Sequence, residues 1–384
     1  MAVEALYLHI PFCRTRCAYC DFDTCALAPA AFKRETTRYL AALERRIDEF
    51  GARGTLASVR TVYIGGGTPT VLGERLLGLV RRVRAWCAPE EFTCEANPES
   101  FHEELAGSLA ASGVTRISLG VQSLEDDELS AIGRIHTATV ALEAIELARR
   151  AGFSVSCDLM CGLPGQHAAS WRRTLERALA AHPDHISVYP LTVEAGTPLA
   201  DRVARNPSLL PDEDFQADCM EVARSLCEGA GLDPYEVASY ARPGFESRHN
   251  TAYWTGKPYL GLGRSAVTMT QNAERRMRVQ DGQVVDDLDA RQMAAEDLML
   301  GMRMARGVSD EQVARAAAVI DDAASTAASS GSMTPGSETG SVLAAFDELA
   351  SLGLVKHADG RWRPTDAGWL CGNELYGRLL DLAP

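Results

Sequence analysis

Six short β-prone segments recur through the first half of the chain, at residues 5–10, 58–64, 91–94, 115–119, 153–160 and 185–190. Helix-prone stretches separate them. Residues 31–50 carry Leu40, Leu43 and Ile47 on one face, the spacing of an amphipathic helix. Residues 74–87 and 124–151 read the same way. Strand alternating with helix predicts a parallel sheet with helices outside it. The reactive residue types cluster at one end of this pattern. Cys13, Cys17 and Cys20 follow the first β segment, and Gly65 to Thr70 follow the second. Glu95, Gln122, Asp158 and Tyr189 lie at or just past the ends of the next four. In parallel β/α barrels the site is built at the C-terminal strand ends. The expected fold is therefore α/β, a partial (β/α)6 barrel with one site in its mouth.

The pattern changes after about residue 200. A helix is expected at 214–231. Residues 235–269 then concentrate aromatic, glycine and polar residues, among them Tyr240, Phe245, His249, Tyr253, Trp254 and Tyr259. A further helix is expected at 294–304. Residues 321–341 are rich in Ala, Ser, Thr and Gly and read as a flexible surface insertion. A helix at 342–352, a hairpin at 354–364 and a closing helix at 365–382 resemble a small winged-helix unit. At 384 residues the chain has room for a large domain and a smaller one. The expected division is a barrel over 1–235 and an α+β, winged-helix-like domain over 236–384.

Charge excludes one class of partner. With 52 Asp and Glu against 38 Lys and Arg, the net charge is −14. Phosphate backbones need cations, so no nucleic-acid binding is expected, even from a winged-helix unit. No signal peptide is apparent at the N-terminus, and no apolar run approaches the ~18 residues of a membrane span. Eleven cysteines, an odd number, then point to reduced thiols or metal ligands in the cytoplasm.

The cysteine spacing Cys13-x-x-x-Cys17-x-x-Cys20 puts three thiolates within eight residues. Three thiolates can hold three irons of a cubane cluster and leave the fourth iron for a small chelating molecule. A structural zinc site wants four ligands, and Cys25 and His9 are near enough in sequence to keep zinc open. The glycines of Gly65-Gly66-Gly67-Thr68-Pro69-Thr70 permit either a tight turn or close approach of a ligand. The remaining cysteines (Cys25, Cys87, Cys94, Cys157, Cys161, Cys219, Cys227 and Cys371) read as small core or surface thiols, with Cys157 and Cys161 beside Asp158 in sequence.

On these residues the chain resembles the radical SAM superfamily, whose cysteine triad follows an N-terminal strand. The Gly-Gly-Gly-Thr-Pro-Thr run resembles the branch that contains oxygen-independent coproporphyrinogen III oxidase and its relatives. Further blocks match that branch in order across roughly residues 5–270. They are His9-Ile10-Pro11-Phe12-Cys13, Glu95-Ala96-Asn97-Pro98, Gly120-Val121-Gln122-Ser123, Gly133-Arg134, Asp158-Leu159-Met160, Gly162-Leu163-Pro164-Gly165-Gln166 and Glu194-Ala195-Gly196-Thr197-Pro198-Leu199. The resemblance implies a [4Fe–4S] cluster on Cys13, Cys17 and Cys20. S-adenosylmethionine (SAM) is then bound at the open iron, where one electron from the cluster cleaves it to a 5′-deoxyadenosyl radical. It also implies SAM contacts at Tyr7, Tyr19, Gly66, Gly67, Thr68, Glu95, Gln122, Arg134 and Asp158. The set is chemically sensible. Glu95 can accept from an ammonium, Arg134 can pair with a carboxylate, and Asp158 can hold ribose hydroxyls. Singly, Arg134 with Asp158 is also readable as a plain ion pair, and Gln122 as a loop cap.

That branch holds a decarboxylating oxidase and a family of haem chaperones. The oxidase continues its cysteine run where this chain has Phe22, and it carries a longer segment before the triad. His249-Asn250-Thr251-Ala252-Tyr253-Trp254 matches the His-Asn-x-x-Tyr-Trp signature of the chaperones, and residues 235–244 match their run into it. The resemblance thus implies a chaperone that binds haem, cluster and SAM and passes haem to an acceptor protein, with an electron donor for the cluster. The alternative is the oxidase, so enzyme activity stays open. His249 is the candidate haem ligand, because imidazole serves as an axial ligand. A hydrogen-bonded structural histidine is the other reading. His9 and His136 are weaker candidates. One departure stands out. Where the family has Gly-x-Gly-x-Gly-Ala, this chain has Gly261-Leu262-Gly263-Arg264-Ser265-Ala266, which makes the form of that loop an open question.

Overall fold

The computed structural model describes residues 2–329 and 342–384, with the side chains of 322–329 left aside. Six strands pair side by side, all parallel: Ala5–Ile10, Thr61–Gly66, Glu91–Ala96, Arg116–Gln122, Ser154–Cys161 and His185–Pro190. Their residues alternate in character, as a two-residue strand period demands. Leu6, Leu8, Ile10, Val62, Ile64, Phe92, Ile117, Leu119, Val155, Leu159, Ile186 and Val188 are fully buried in the main core. Tyr7, Tyr63, Thr93, Glu95, Ser118, Ser156, Asp158 and Ser187 occupy the intervening positions. A parallel sheet is normally apolar on both faces. Here the inner face is polar, and its residues hydrogen-bond one another, as Ser118 does to Asp158. The sheet's curvature is evident across strands, where Tyr63 on the second strand lies within electrostatic range of Asp158 on the fifth and Tyr189 on the sixth. This is the partial (β/α)6 barrel expected. Tyr259–Leu262 extends the sheet beside the first strand, in parallel. Ser239–Ala241 closes the other edge, antiparallel to the sixth.

The helices cover the apolar face. Pro29–Ala52 buries Leu40, Leu43 and Ile47, and Glu74–Arg84 buries Leu76, Leu79, Val80 and Val83. Each such aliphatic side chain stabilises the fold by ~1.5–3 kcal/mol on removal from water. Ala168–Ala180 begins on a capping box between His167 and Ser170. It is joined to Glu213–Gly229 by the buried Trp171, whose Nε1 donates to the Cys219 carbonyl at 2.8 Å.

Some expected elements differ. The helix expected over 124–151 is two, Asp126–Ala131 and Ala138–Arg150. The chain turns at Gly133, whose φ of 76° suits glycine, and the second helix restarts on a Thr137 cap. The closing helix likewise breaks at Cys371 into Asp366–Leu370 and Gly372–Leu380. The expected insertion begins as helix, since Asp310–Ser329 is helical, and its remainder, 330–341, lies outside the described residues. The hairpin of Arg275–Gln280 and Gln283–Asp289 was not anticipated. Its side chains are mainly exposed or half-buried, so no apolar alternation marks it.

Two compact units emerge. The first comprises Met1–Pro234, Ala238–His249 and Tyr259–Val267; the second comprises Tyr235–Val237, Asn250–Pro258 and Thr268–Pro384. The second has its own core. Leu298 and Met302 of helix Ala290–Met302 share it with Val313, Ile320, Phe346, Trp362, Leu375 and Leu379. A three-stranded sheet orders Val308–Ser309, Arg361–Pro364 and Val355–Ala358, all antiparallel. Arg276 is buried in this unit and paired with Glu296 at 2.5 Å and Asp297 at 2.7 Å.

Candidate cofactor-binding site at the strand ends

The cysteine loop leaves the first strand and is held by backbone bonds before any side chain acts. Phe12–Cys13 pairs in parallel with Cys25–Ala26. The Cys25 amide donates to the Pro11 carbonyl at 2.7 Å. Between these anchors, the Ala18 amide donates to the Ile132 carbonyl at 2.9 Å, and the Ala18 carbonyl accepts from Leu199 at 2.8 Å. Ala18 and Tyr19 pack on a small apolar cluster of Ile132, Met160, Leu163, Leu191 and Leu199. The Gly133 turn that broke the expected helix is thus the floor under the loop.

Each thiol has a polar neighbour. The Thr68 hydroxyl donates to Cys13 Sγ at 3.5 Å, and Arg134 Nη1 donates to Cys17 Sγ at 3.5 Å. Cys20 Sγ lies 3.9 Å from the Thr24 hydroxyl. Burial pushes the Cys13 thiol up to about 11, against the Thr68 bond, and raises Cys20 as well. Iron binding must therefore release these protons. Among the described residues, no three His, Cys, Asp or Glu side chains form a group fit to hold a metal ion. Ligands of a cubane each take a different iron and need not converge on one point.

The glycine turn is shaped by its protein neighbours. A Cβ on Gly66 would sit 2.4 Å from the His9 ring, and one on Gly67 would sit 2.8 Å from the Ile10 and Phe12 carbonyls. The amides are also engaged. Gly66 donates to Glu95 Oε2 at 2.9 Å, Gly67 to the Ile10 carbonyl at 2.8 Å, and Thr68 to the Phe12 carbonyl at 2.8 Å. Any ligand contact from Gly66 and Gly67 thus falls to their carbonyl oxygens, which suit a donor such as an amino group.

Glu95 and Asp158 supply the site's negative charge. Glu95 accepts from Tyr63 at 2.7 Å as well as from Gly66. Burial, then repulsion from Asp158, raises it to about 7. Asp158 accepts from Ser118 at 3.1 Å, and burial raises it to about 6 against the pull of Ser118, Ser187, Arg116 and Arg134. Two carboxylates raised together gain from a cation placed between them. Burial opposes the charge on Arg134, but Tyr19, Cys17 and Glu99 outweigh it and hold the guanidinium above its ordinary value. Arg134 Nη2 donates to the Gly120 carbonyl and to Asn97 Oδ1, the latter at 2.8 Å. Gln122 bends over the same spot at φ 65°, at a register shift in its strand. A left-handed non-glycine residue stores strain of ~1–3 kcal/mol and tends to mark functional sites.

The expected site residues therefore divide. Cys13 is linked directly to Thr68, Cys17 to Arg134, and Gly66 to Glu95. Tyr19 is packed beside the loop, and burial holds its hydroxyl well above its ordinary pKa. Tyr7 reaches His9 Nδ1 at 3.0 Å, and His9 Nε2 lies 3.0 Å from the Asp23 carbonyl, so His9 braces the loop. His136 is buried between the Val121 carbonyl at 3.2 Å and Glu99 at 3.4 Å. His249 lies elsewhere, at the opposite strand ends. Its Nδ1 meets the Thr61 hydroxyl at 3.0 Å, its amide donates to Glu91 at 2.9 Å, and its ring packs on Tyr63 at 5.1 Å. Thr61 opens the strand that Gly66 closes, a separation of ~16 Å at strand rise. Burial lowers the His249 imidazole to about 3. Two residues escaped the sequence reading. Asn97 bridges Thr68 at 2.9 Å to Arg134, and Tyr63 carries Glu95. An asparagine at a strand end looks like a turn residue, and an inward tyrosine looks like core.

The open loop at 261–266 takes a definite form. Ser265 adopts the left-handed conformation with φ 58°. Its hydroxyl donates to Asp23 at 2.5 Å, and Arg264 pairs with the same carboxylate at 2.6 Å. The departure from glycine thus ties this loop to the cysteine loop.

The donor set fits the cofactors that the cysteine spacing suggests. Three thiols share one loop, two raised carboxylates face the same mouth, and Arg134 Nε is buried without a partner among the described residues. The last is a donor for which the described residues provide no acceptor. Comparison with known proteins agrees. Residues 7–178 match the radical SAM superfamily. The chain is 32% identical to the "Heme chaperone HemW" of Bacillus subtilis, over 98% of this chain and 99% of that one. It is 42% identical to the protein of the same name from Mycobacterium tuberculosis, over 68% of each. Among solved structures, coproporphyrinogen III oxidase (HemN) from Escherichia coli, described as a radical SAM enzyme, shares the fold. Its TM-score is 0.78 at 21% identity, covering 98% of this chain and 90% of that one. This chain belongs to the HemW family of haem chaperones within the radical SAM superfamily.

Proposed function

We propose that this protein carries haem and hands it to an acceptor protein, with a [4Fe–4S] cluster on Cys13, Cys17 and Cys20 and SAM at the open iron. The observation that carries the cofactor reading is the placing, at one set of strand ends, of three thiols on one loop, the buried Glu95 and Asp158, and an Arg134 Nε with no partner among the described residues. When bound, the cluster supplies one-electron chemistry. The chain's own residues do the rest. Thr68 donates to Cys13 Sγ and Arg134 to Cys17 Sγ, which orients these two sulfurs. Glu95 and the carbonyls of Gly66 and Gly67 offer acceptors for the SAM amino group. Arg134 offers a donor for its carboxylate, Asp158 and Gln122 acceptors for ribose hydroxyls, and Tyr19 and Tyr7 aromatic surface. A sulfonium cation near Glu95 and Asp158 favours their ionised forms, which burial opposes.

The haem reading rests on family membership and on the His-Asn-x-x-Tyr-Trp segment. His249 is its candidate iron ligand, and that role requires the ring to leave Thr61 and Tyr63. Phe22, standing where the oxidase has its next cysteine, supports the chaperone over the decarboxylating oxidase. The test is anaerobic cluster reconstitution followed by haem titration at the Soret band, with His249→Ala in parallel. Saturable binding near one haem per chain supports the carrier. A shifted Soret band in the variant supports His249 as ligand. No saturable binding beside an intact cluster, with turnover of coproporphyrinogen III in the presence of SAM and a reductant, overturns the reading in favour of the oxidase.

A further inference from the structure

Within the second unit lies a cavity of about 690 Å³, inside the ~300–1,000 Å³ range of cofactor and small-molecule sites. Its walls are of two kinds. Trp254, Leu298, Met304 and Val319 give it apolar surface, and Lys257, Arg306, Arg315 and Arg361 give it cations. The carboxylate among its lining residues, Asp297, is already paired with Arg276 at 2.7 Å. In a chain whose net charge is −14, four cations around one cavity run against the general surface. Arg306 and Arg315 are exposed at the cavity. Among the described residues, Arg315 makes one ion-pair contact, a loose one to Glu311 at 3.9 Å.

Trp254 is held as a fixed wall. Its Nε1 donates to the buried Glu236 at 3.1 Å. The Arg303 guanidinium stacks on its ring at 4.8 Å and on Tyr376 at 4.7 Å. A rigid aromatic face beside a cationic rim is complementary to a flat apolar ligand that carries carboxylates at its edge. Building on the haem-carrier reading, we infer that this cavity is a haem site, with Trp254 against the macrocycle and Arg306 and Arg315 at the propionates. The site so assigned grips the periphery of the haem, through Trp254 and the two arginines.

The test is haemin titration of the reconstituted full chain, comparing wild type, Arg306→Glu/Arg315→Glu and His249→Ala, with haemin dimethyl ester as the uncharged probe. Both reversed residues are exposed, so iron content and circular dichroism should match wild type. The double variant should bind haemin about tenfold more weakly, or worse. Added salt should weaken binding to wild type more than to the variant. The ester should bind both alike. Wild-type affinity in the double variant, with loss only in His249→Ala, overturns the cavity assignment and leaves the carrier reading standing. Failure of wild type to bind haemin saturably overturns both.

Discussion

Glu95→Gln should separate the cost of the site's charge from its use. In the cofactor-free chain, burial and Asp158 raise Glu95 from 4.5 to about 7. At ~1.4 kcal/mol per pH unit, keeping it ionised in the folded state costs about 3 kcal/mol. The sign follows from proton counts. Between pH 4.5 and 7 the folded chain holds a proton on Glu95 that the unfolded chain has lost, so stability falls as pH rises through that window. Glutamine keeps both contacts. Its carbonyl accepts from the Gly66 amide, and its amide donates to the Tyr63 oxygen. The variant should match wild type near pH 4.5 and exceed it by up to about 3 kcal/mol at pH 8. For a unit of this size that is a Tm difference of about 6–12 °C. Thermal unfolding of both proteins across pH 4.5–8, without iron or SAM, measures it. Parallel curves would refute the reasoning. The same variant should bind SAM at least about tenfold more weakly, because the amino group loses a charged acceptor.

Arg276→Leu leaves Glu296 with Arg278 alone, at 2.8 Å, and should destabilise the second unit by ~1–3 kcal/mol in denaturant unfolding followed by Trp fluorescence. Gly66→Ala sets a Cβ 2.4 Å from the His9 ring at φ 107°. It should cost at least ~2 kcal/mol and reduce iron uptake on reconstitution. Cys17→Ala should abolish the cluster's visible absorption, whereas Cys25→Ala, whose residue serves the strand pair beside the loop, should retain it. Ser265→Gly relieves the left-handed strain but loses the Asp23 bond, so its stability should stay within ~1 kcal/mol of wild type. Ser265→Val loses the bond and keeps the strain, and should cost more than ~1 kcal/mol in the same melt.

The barrel was legible because its strands end in chemistry. A run such as Ser154–Cys161 alternates polar and apolar residues and then meets Gly162, so period and stop signal agree. The cysteine triad was legible because its spacing is local. What failed was whatever depends on packing at a distance. The apolar period runs through both halves of 124–151, so the period alone does not mark Gly133 as a hinge. Asn97 became part of the site only through Thr68 and Arg134, residues 29 and 37 positions away. The position of His249 was equally hidden. Its signature places it after the barrel in sequence, but only the bonds to Thr61 and Glu91 put it at the strand ends away from the cysteines.

The Asp23–Arg264–Ser265 contact also bears on how such a chain can vary. Ser265 tolerates its backbone because Asp23 rewards the hydroxyl, and Asp23 is held by residues that replace a glycine-rich turn. A change at either end strands the other, so the three positions should drift as a linked set. Lineages that revert Ser265 to glycine should be free to lose the acid at 23, and lineages that keep the acid should keep a hydroxyl or a cation opposite it.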